Sequence, residues 1–361
     1  MTDFNELQAI LNKSLKWNKA HVQCLTFILI AIILKQTCNL ASASKVLFNQ
    51  SLPSSFYRRI QRFFAQHRFD YHQMAKLLFS MFEFDQVRLT LDRTNWKWGK
   101  RDINILMLAI VYRGIAVPIV WTLLNKQGNS DTKERCALIQ RFISIFGRNT
   151  IHNLFADREF VGKQWFGWLM QQDINFCIRI KKNFIVINHL GYKHKACELF
   201  RHLKVGQSEY RQRRVSVNGV KLYISALRLD DGELLIVVSP TLNANALAEY
   251  ALRWEIETLF SCLKGRGFNL EDTRLTDPRR VKKLVAVLAI GFCWCYATGE
   301  WKNDEVKPIA VKNHGRLSVS LFRYGLDYIQ LAIQKLMSFG ERSYFIDMLS
   351  ILTEKYTSPS G

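Results

Sequence analysis

The chain is short of acid: 30 Asp and Glu stand against 51 Lys and Arg, a formal net charge of +21. That imbalance excludes an acidic, solvating chain and favours a polyanionic partner, either nucleic acid or an acidic membrane surface. The eight cysteines form no CxxC pair and have no histidine beside them at ligand spacing. Neither a zinc site nor a disulfide framework is expected, and a reducing cytoplasm fits best. Cys293 and Cys295 flank Trp294 inside an apolar run that reads as core. No secretory signal is expected at the N-terminus. The apolar runs 24–34 and 284–296 fall short of the roughly 20 residues a membrane span needs, so both are read as buried helices. Internal repeats and low-complexity segments are lacking too. What remains is 361 residues, 48% of them apolar, enough for two or three domains with sizeable cores.

Residues 1–80 read as helical. Two short segments, 40–48 and 54–66, are joined by NQSLP, and Ser54 and Ser55 offer N-caps for the second. That second helix carries Arg58, Arg59 and Arg62 on one side. It can be a helix-turn-helix with a basic helix for a DNA groove, or a plain helical hairpin with a solvated basic face. Residues 86–92, QVRLTLD, alternate as a strand ending at Asp92. Two β-rich runs, 103–112 and 115–121, follow across a turn at Arg113–Gly114. Asp131 and Glu134 form a capping-box pattern at the start of a helix to about 146, which gives Asp131 a structural role. A strand at 151–156 ends at Asp157, and a helix at 160–171 and a strand at 175–180 come next. Asn218–Gly219 and Asp231–Gly232 predict a three-stranded meander. Asp277–Pro278 opens another long helix, and the chain closes in helical sequence with the polar tail TSPSG.

The stretch 246–264, ALAEYALRWEIETLFSCLK, reads as one amphipathic helix. At about 100° per residue, Tyr250, Arg253, Glu257 and Lys264 fall within about 60° of one another. Leu252, Ile256, Leu259, Phe260 and Leu263 form an apolar stripe beside them. Periodicity alone allows a plain solvated face. Yet a carboxylate can ligate a hard metal ion, and flanking basic and phenolic groups can hold phosphate oxygens. Two strand-end aspartates, Asp92 and Asp157, with the helical Glu257 are what a two-metal phosphoryl-transfer site needs. Crowded carboxylates repel, and divalent cations about 3.5–4 Å apart relieve the repulsion. Singly, Asp92 is equally a turn residue and Asp157 an N-cap. Glu159, Glu255, Glu271 and Asp272 are rival carboxylates, although Glu255 points more than about 100° away from Tyr250.

The pattern Tyr250-x2-Arg253-x3-Glu257-x6-Lys264 resembles the Tyr-Arg-Glu-Lys signature of bacterial DDE transposases of the insertion-sequence-four family. LTLDRTNWKWG around Asp92 is similar to that family's first aspartate motif, FADREF around Asp157 to its second, and GRGFNLEDTRL follows Lys264 as in the family. The resemblance covers roughly residues 85–300. It implies an α/β fold with a ribonuclease H-like core, a mixed sheet flanked by helices, built from 81–182 and 243–300. A β-rich insertion would occupy 183–242, an all-α DNA-binding domain 1–80, and a helical C-terminal region 301–361, a candidate for dimerisation. By the same resemblance Asp92, Asp157 and Glu257 bind two Mg²⁺ ions, with Mn²⁺ as a substitute, and Tyr250, Arg253 and Lys264 grip phosphates. The implied activity is cut-and-paste transposition in the bacterial cytoplasm at the nucleoid: terminal inverted repeats are bound, strands nicked, and the freed 3′-OH joined to target DNA. The implied partners are duplex DNA, at transposon ends and target, and a second copy of the chain, with no membrane. Some family members pass through a DNA hairpin and stack a flipped base on an aromatic residue of the insertion. Residues 183–240 contain no tryptophan, and Tyr210 and Tyr223 are the substitutes on offer. A nuclease that never joins strands, and a non-catalytic domesticated DNA-binding protein, are the rival readings.

Overall fold

The protein is described by a computed structural model covering residues 4–46, 52–84, 86–313 and 315–354. The helices α1 (Asn5–Leu15), α2 (Lys19–Lys35), α3 (Leu40–Ala43), α4 (Pro53–Gln66) and α5 (Tyr71–Ser80) come first. Then follow β1 (Val87–Trp98), β2 (Arg101–Tyr112), β3 (Ile115–Leu123), α6 (Thr132–Phe146), β4 (Ile151–Ala156), α7 (Lys163–Gln171) and β5 (Phe176–Ile180). A run of strands comes next: β6 (Ile185–Ile187), β7 (Lys193–Lys195), β8 (Ser208–Tyr210), β9 (Val215–Val217), β10 (Val220–Arg228) and β11 (Leu234–Ser239). The chain closes with α8 (Ala246–Ala251), α9 (Glu255–Leu263), α10 (Pro278–Trp301), α11 (Leu321–Phe339) and α12 (Ser343–Glu354). These elements form two units, one of Met1–Glu83, Trp96–Ile103 and Leu259–Gly361, the other of Phe84–Asn95 and Asn104–Thr258.

The second unit is built on a mixed sheet in the order β3-β2-β1-β4-β5-β11-β10-β9-β6-β7, with β8 beside β10. β1, β4 and β5 run parallel, as strand–helix–strand connections require. From β11 onward the pairs are antiparallel, and short turns join β9 to β10 and β10 to β11. Asn218 and Gly219 both take positive φ, 51° and 80°, the primed turn that matches strand twist, so the expected meander forms. The strands of 183–242 are not a separate layer: β11 hydrogen-bonds directly to β5 and continues the sheet. Helices cover both faces. Phe166 of α7 stacks on Phe176, whereas Ala246 and Tyr250 pack with Cys177, the next residue of β5. Successive strand residues point to opposite faces, so α7 and α8 lie on opposite sides.

In the first unit, the two apolar runs are buried helices. Residues 24–33 of α2 and 284–300 of α10 are all buried, and α10 packs on α11 and α2. A Cβ on Gly299 or Gly325 would overlap a backbone carbonyl, of Leu321 and Cys295 respectively, so glycine is what lets α10 and α11 approach so closely. Asp277 accepts from Arg280 N at 3.0 Å and Pro278 opens α10, as its sequence predicts.

Several local expectations need correction. β1 does not end at Asp92 but runs to Trp98, because Thr94 and Trp96 keep an inward alternation going. α4 starts at Pro53 after Leu52, and neither serine caps it: proline's fixed φ and missing N–H suit the first helical position. α3 ends at Ala43 and residues 44–46 form a turn, short of the expected helix to 48; residues 47–51, with the NQS of the link, and the TSPSG tail lie outside the described residues. α7 begins at Lys163, because residues 157–160 turn back with Phe160 N on Asp157 O. Most consequential, 246–264 is not one helix. A 3₁₀ turn, Leu252–Trp254, separates α8 from α9, and Lys264 falls just past the last residue of α9.

Candidate active site

Parallel pairing of β1 with β4 sets the two aspartates together. Leu91 lies opposite Ala156, so Asp92 on β1 and Asp157, the residue just past β4, follow side by side, although 65 residues separate them. Adjacent strands lie about 4.8 Å apart. The 3₁₀ turn then brings in the third element. Arg253, only 3% exposed, projects from it into the sheet unit. Its Nη1 donates to Asp92 Oδ2 at 2.9 Å and approaches Glu257 Oε1 at 3.5 Å. Tyr250, 2% exposed, packs on Phe155 and points its hydroxyl at Asp157 Oδ1, 3.4 Å away. The face that periodicity alone would leave solvated is thus buried over Tyr250 and Arg253. Glu257 alone keeps a large exposure: 46% of its side chain, against 14% for Asp92 and 4% for Arg253. The guanidinium is the floor of the site and Glu257 its rim.

Charge follows this geometry. Burial pushes the Asp92 carboxyl up to about 7, with the Arg93 N–H and Arg253 pulling down and Glu257 and Glu159 pushing further up. Burial acts to lower Arg253, but Tyr250, Asp92, Asp157 and Glu257 outweigh it and hold the guanidinium above its ordinary value. Burial, foremost, raises the Tyr250 phenol, so it is a neutral donor. All three carboxylates therefore feel one buried cation. Among the described residues Arg253 Nε has no hydrogen-bond partner, which leaves a donor suited to a further anionic oxygen.

The rivals have other work. Glu255 accepts from Tyr112 N at 2.8 Å and Gly114 N at 3.0 Å, pinning the β2–β3 turn. Glu159 takes a bidentate pair from Arg93, at 3.1 Å to each oxygen. Arg93 continues to Asn104 and Asn129, and the buried Arg135 binds Ser130 and the Glu159 carbonyl while lying over Phe160. Sequence reasoning missed Arg93 and Arg135. Their one signal was position, directly after Asp92 and four residues past the Asp131 cap.

Other expected site residues sit in the helical unit. Lys264 pairs with Glu271 at 2.7 Å and lies 6.0 Å from the Trp96 ring centre. Arg58 and Arg62 are exposed, but Arg59 turns inward, Nη2 donating to Ala20 O and Gln23 Oε1. In the sheet unit Tyr210 is 41% exposed, whereas Tyr223 lies under Arg214.

Among the described residues no three His, Cys, Asp or Glu side chains stand close enough together to hold a metal ion. The donor set nonetheless fits one in kind. Asp92 and Glu257 offer hard oxygens to the same cationic nitrogen, with Asp157 in the same field.

A family model described as a transposase DDE domain matches residues 83–294. Among solved structures, one that is similar is the cryo-EM structure of a piggyBac transposase synaptic complex with hairpin DNA. It has 11% identity and a TM-score of 0.47, covering 96% of this chain and 74% of that one. No curated protein matches the chain.

Proposed function

Because the chain belongs to the transposase DDE-domain family, we propose that it cuts and joins DNA strands at the site formed by Asp92, Asp157 and Glu257. The observation that carries the reading is that Asp92 and Glu257 meet on Arg253 while Asp157 is met by Tyr250 of the same turn of chain, across separations of 65 and 100 residues. Duplex DNA, at the ends of a mobile segment and at its target, is the substrate, and the chain's +21 charge favours it. The resemblance of the signature from Tyr250 to Lys264 supports membership of the insertion-sequence-four family, with a ribonuclease H-like core.

Asp92, Asp157 and Glu257 would hold divalent ions, Mg²⁺ by the hardness of the oxygen donors. Such ions, when bound, supply the charge that activates a water or 3′-OH and stabilises the leaving oxygen. The chain's own groups do the rest. Tyr250 holds Asp157 through its hydroxyl. Arg253, no longer needed to neutralise Asp92, turns its guanidinium, with the free Nε, toward a phosphate oxygen. In nicking, water oxygen bonds to phosphorus and the 3′-oxygen leaves as a hydroxyl. In joining, that hydroxyl bonds to a target phosphorus and displaces a target 3′-oxygen. Two ends must meet, so a dimer on DNA is part of the reading.

The test is Glu257→Gln, which keeps shape and removes charge. Mg²⁺-dependent nicking of a fragment carrying the ends of the encoding segment should fall at least about 10³-fold, with gel-shift binding retained. Nicking at the parental rate would remove Glu257 from the site. Parental nicking without joining would leave a nuclease.

A further inference from the structure

Outside the carboxylate site, three arginines gather at an open cleft of about 560 Å³ in the helical unit, lined by Arg58, Gln61, Arg62, Ala65 and Arg280. The first four recur at i, i+3, i+4 and i+7 on one face of α4. Phe56, Ile60, Phe63 and Phe64 hold the rest of that helix in the core. Arg280 comes from the first turn of α10, more than 200 residues later. The two walls are tied together: Lys283, one turn on from Arg280, donates its Nζ to the Phe64 carbonyl at 2.9 Å.

Arg58, Arg62 and Arg280 have no side-chain hydrogen bond or ion pair among the described residues. The nearby acid, Asp277, accepts from Arg280 N as the cap of α10 and pairs with Arg279 at 3.6 Å. Three guanidinium groups held at one cleft repel one another, and an anion removes that cost. The lining has no ring and no aliphatic side chain larger than Ala65, so it offers little to a nucleobase or a small apolar ligand. Its openness suits a long polyanion.

We propose that this cleft holds the phosphate backbone of duplex DNA by charge, without reading bases. The proposal rests on the transposase reading for its ligand, but its residues lie apart from the carboxylates in sequence and unit. It also sorts the arginines of α4: Arg58 and Arg62 touch DNA, and Arg59, bound to Ala20 and Gln23, fastens α4 to α2.

The test is the binding of the full chain to two short duplexes, one carrying the segment ends and one scrambled, from 50 to 200 mM salt. Each neutralised phosphate contributes about 0.9 to the slope of log K against log salt. Arg58→Gln/Arg62→Gln/Arg280→Gln should lower that slope by about 2–3 and weaken binding at least about 10-fold, equally on both duplexes. Arg280→Gln alone should lower it by about 1. The triple Arg→Lys variant should keep the parental slope, and Arg59→Gln should keep it too. A folded triple Gln variant with parental slope and affinity overturns the proposal. A loss confined to the end duplex also overturns it, since that would be base reading. The two readings fail separately. A parent that binds steeply but never nicks with Mg²⁺ defeats the active-site reading and leaves the cleft standing. A parent that nicks, beside a triple variant that binds like it, does the reverse.

Discussion

Arg253 and Asp92 lie 161 residues apart in the chain and 2.9 Å apart in the folded protein, joined by an ion pair that is almost wholly buried. Burying both charges is costly, and each is tolerated because the other is there. Replacing Arg253 by Gln strands Asp92 beside Glu257. The expected loss is about 3–5 kcal/mol of unfolding free energy, measured by urea denaturation without divalent ions. Mn²⁺ should then raise the melting temperature of Arg253→Gln more than that of the parent, since the ion restores the missing positive charge. Equal shifts would mean that Arg253 and the ion do not share a place.

Asp92, Asp157 and Glu257 should act as one unit. Asp92→Asn, Asp157→Asn and Glu257→Gln should each reduce nicking by a similar large factor. The triple variant should be hardly worse than the worst single one. Losses that multiply across the three would show independent roles and count against a shared site. Single-turnover nicking on one end-containing fragment makes the comparison.

Glu255 and Glu257 are two residues apart and should separate cleanly. Glu255→Ala leaves the Tyr112 and Gly114 amides without their acceptor. Unpaired amides cost about 1–3 kcal/mol each where they are buried, so unfolding free energy should fall by an amount on that order. Glu257→Gln touches no backbone amide and should leave the denaturation midpoint nearly unchanged. If Glu255→Ala proves as stable as the parent, the anchor role is wrong.

His67 predicts an acid-side loss of stability. Its ring stacks on His21 at 3.9 Å between centres and meets Trp17, Phe63 and Phe69. Burial foremost, then the His21 and Lys283 charges, lower its pKa from 6.5 to about 4. Between those values the unfolded chain takes up a proton that the folded chain refuses. The contribution to stability is therefore full above about pH 6.5 and is lost as pH falls toward 4. His67→Phe should flatten the melting temperature over that window, and an unchanged pH profile would rule His67 out as its source.

Much of this protein was legible from short stretches of chain. Alternation places β4 at Ile151–Ala156, Asn218–Gly219 makes its turn, and Asp131 with Glu134 caps α6, because each depends on neighbours a few residues away. The spacing from Tyr250 through Glu257 likewise picked out groups that the fold brings near Asp92 and Asp157, since it is written in consecutive turns of one stretch. What no local pattern contained was the partner of each charge. Three arginines within five residues of α4 look alike in sequence, yet Arg59 meets Ala20 and Gln23 while Arg58 and Arg62 line one cleft with Arg280. Helical periodicity put Arg253 on a wet face. The 3₁₀ turn and the burial of Tyr250 against Phe155 turned it instead onto Asp92. The register of β1 on β4, set by hydrogen bonds between strands 65 residues apart, placed the two aspartates side by side. Sequence alone supplied the candidate groups for the chemistry. Tertiary structure decided which of them meet, because burial and pairing energies are properties of contacts between distant parts of the chain.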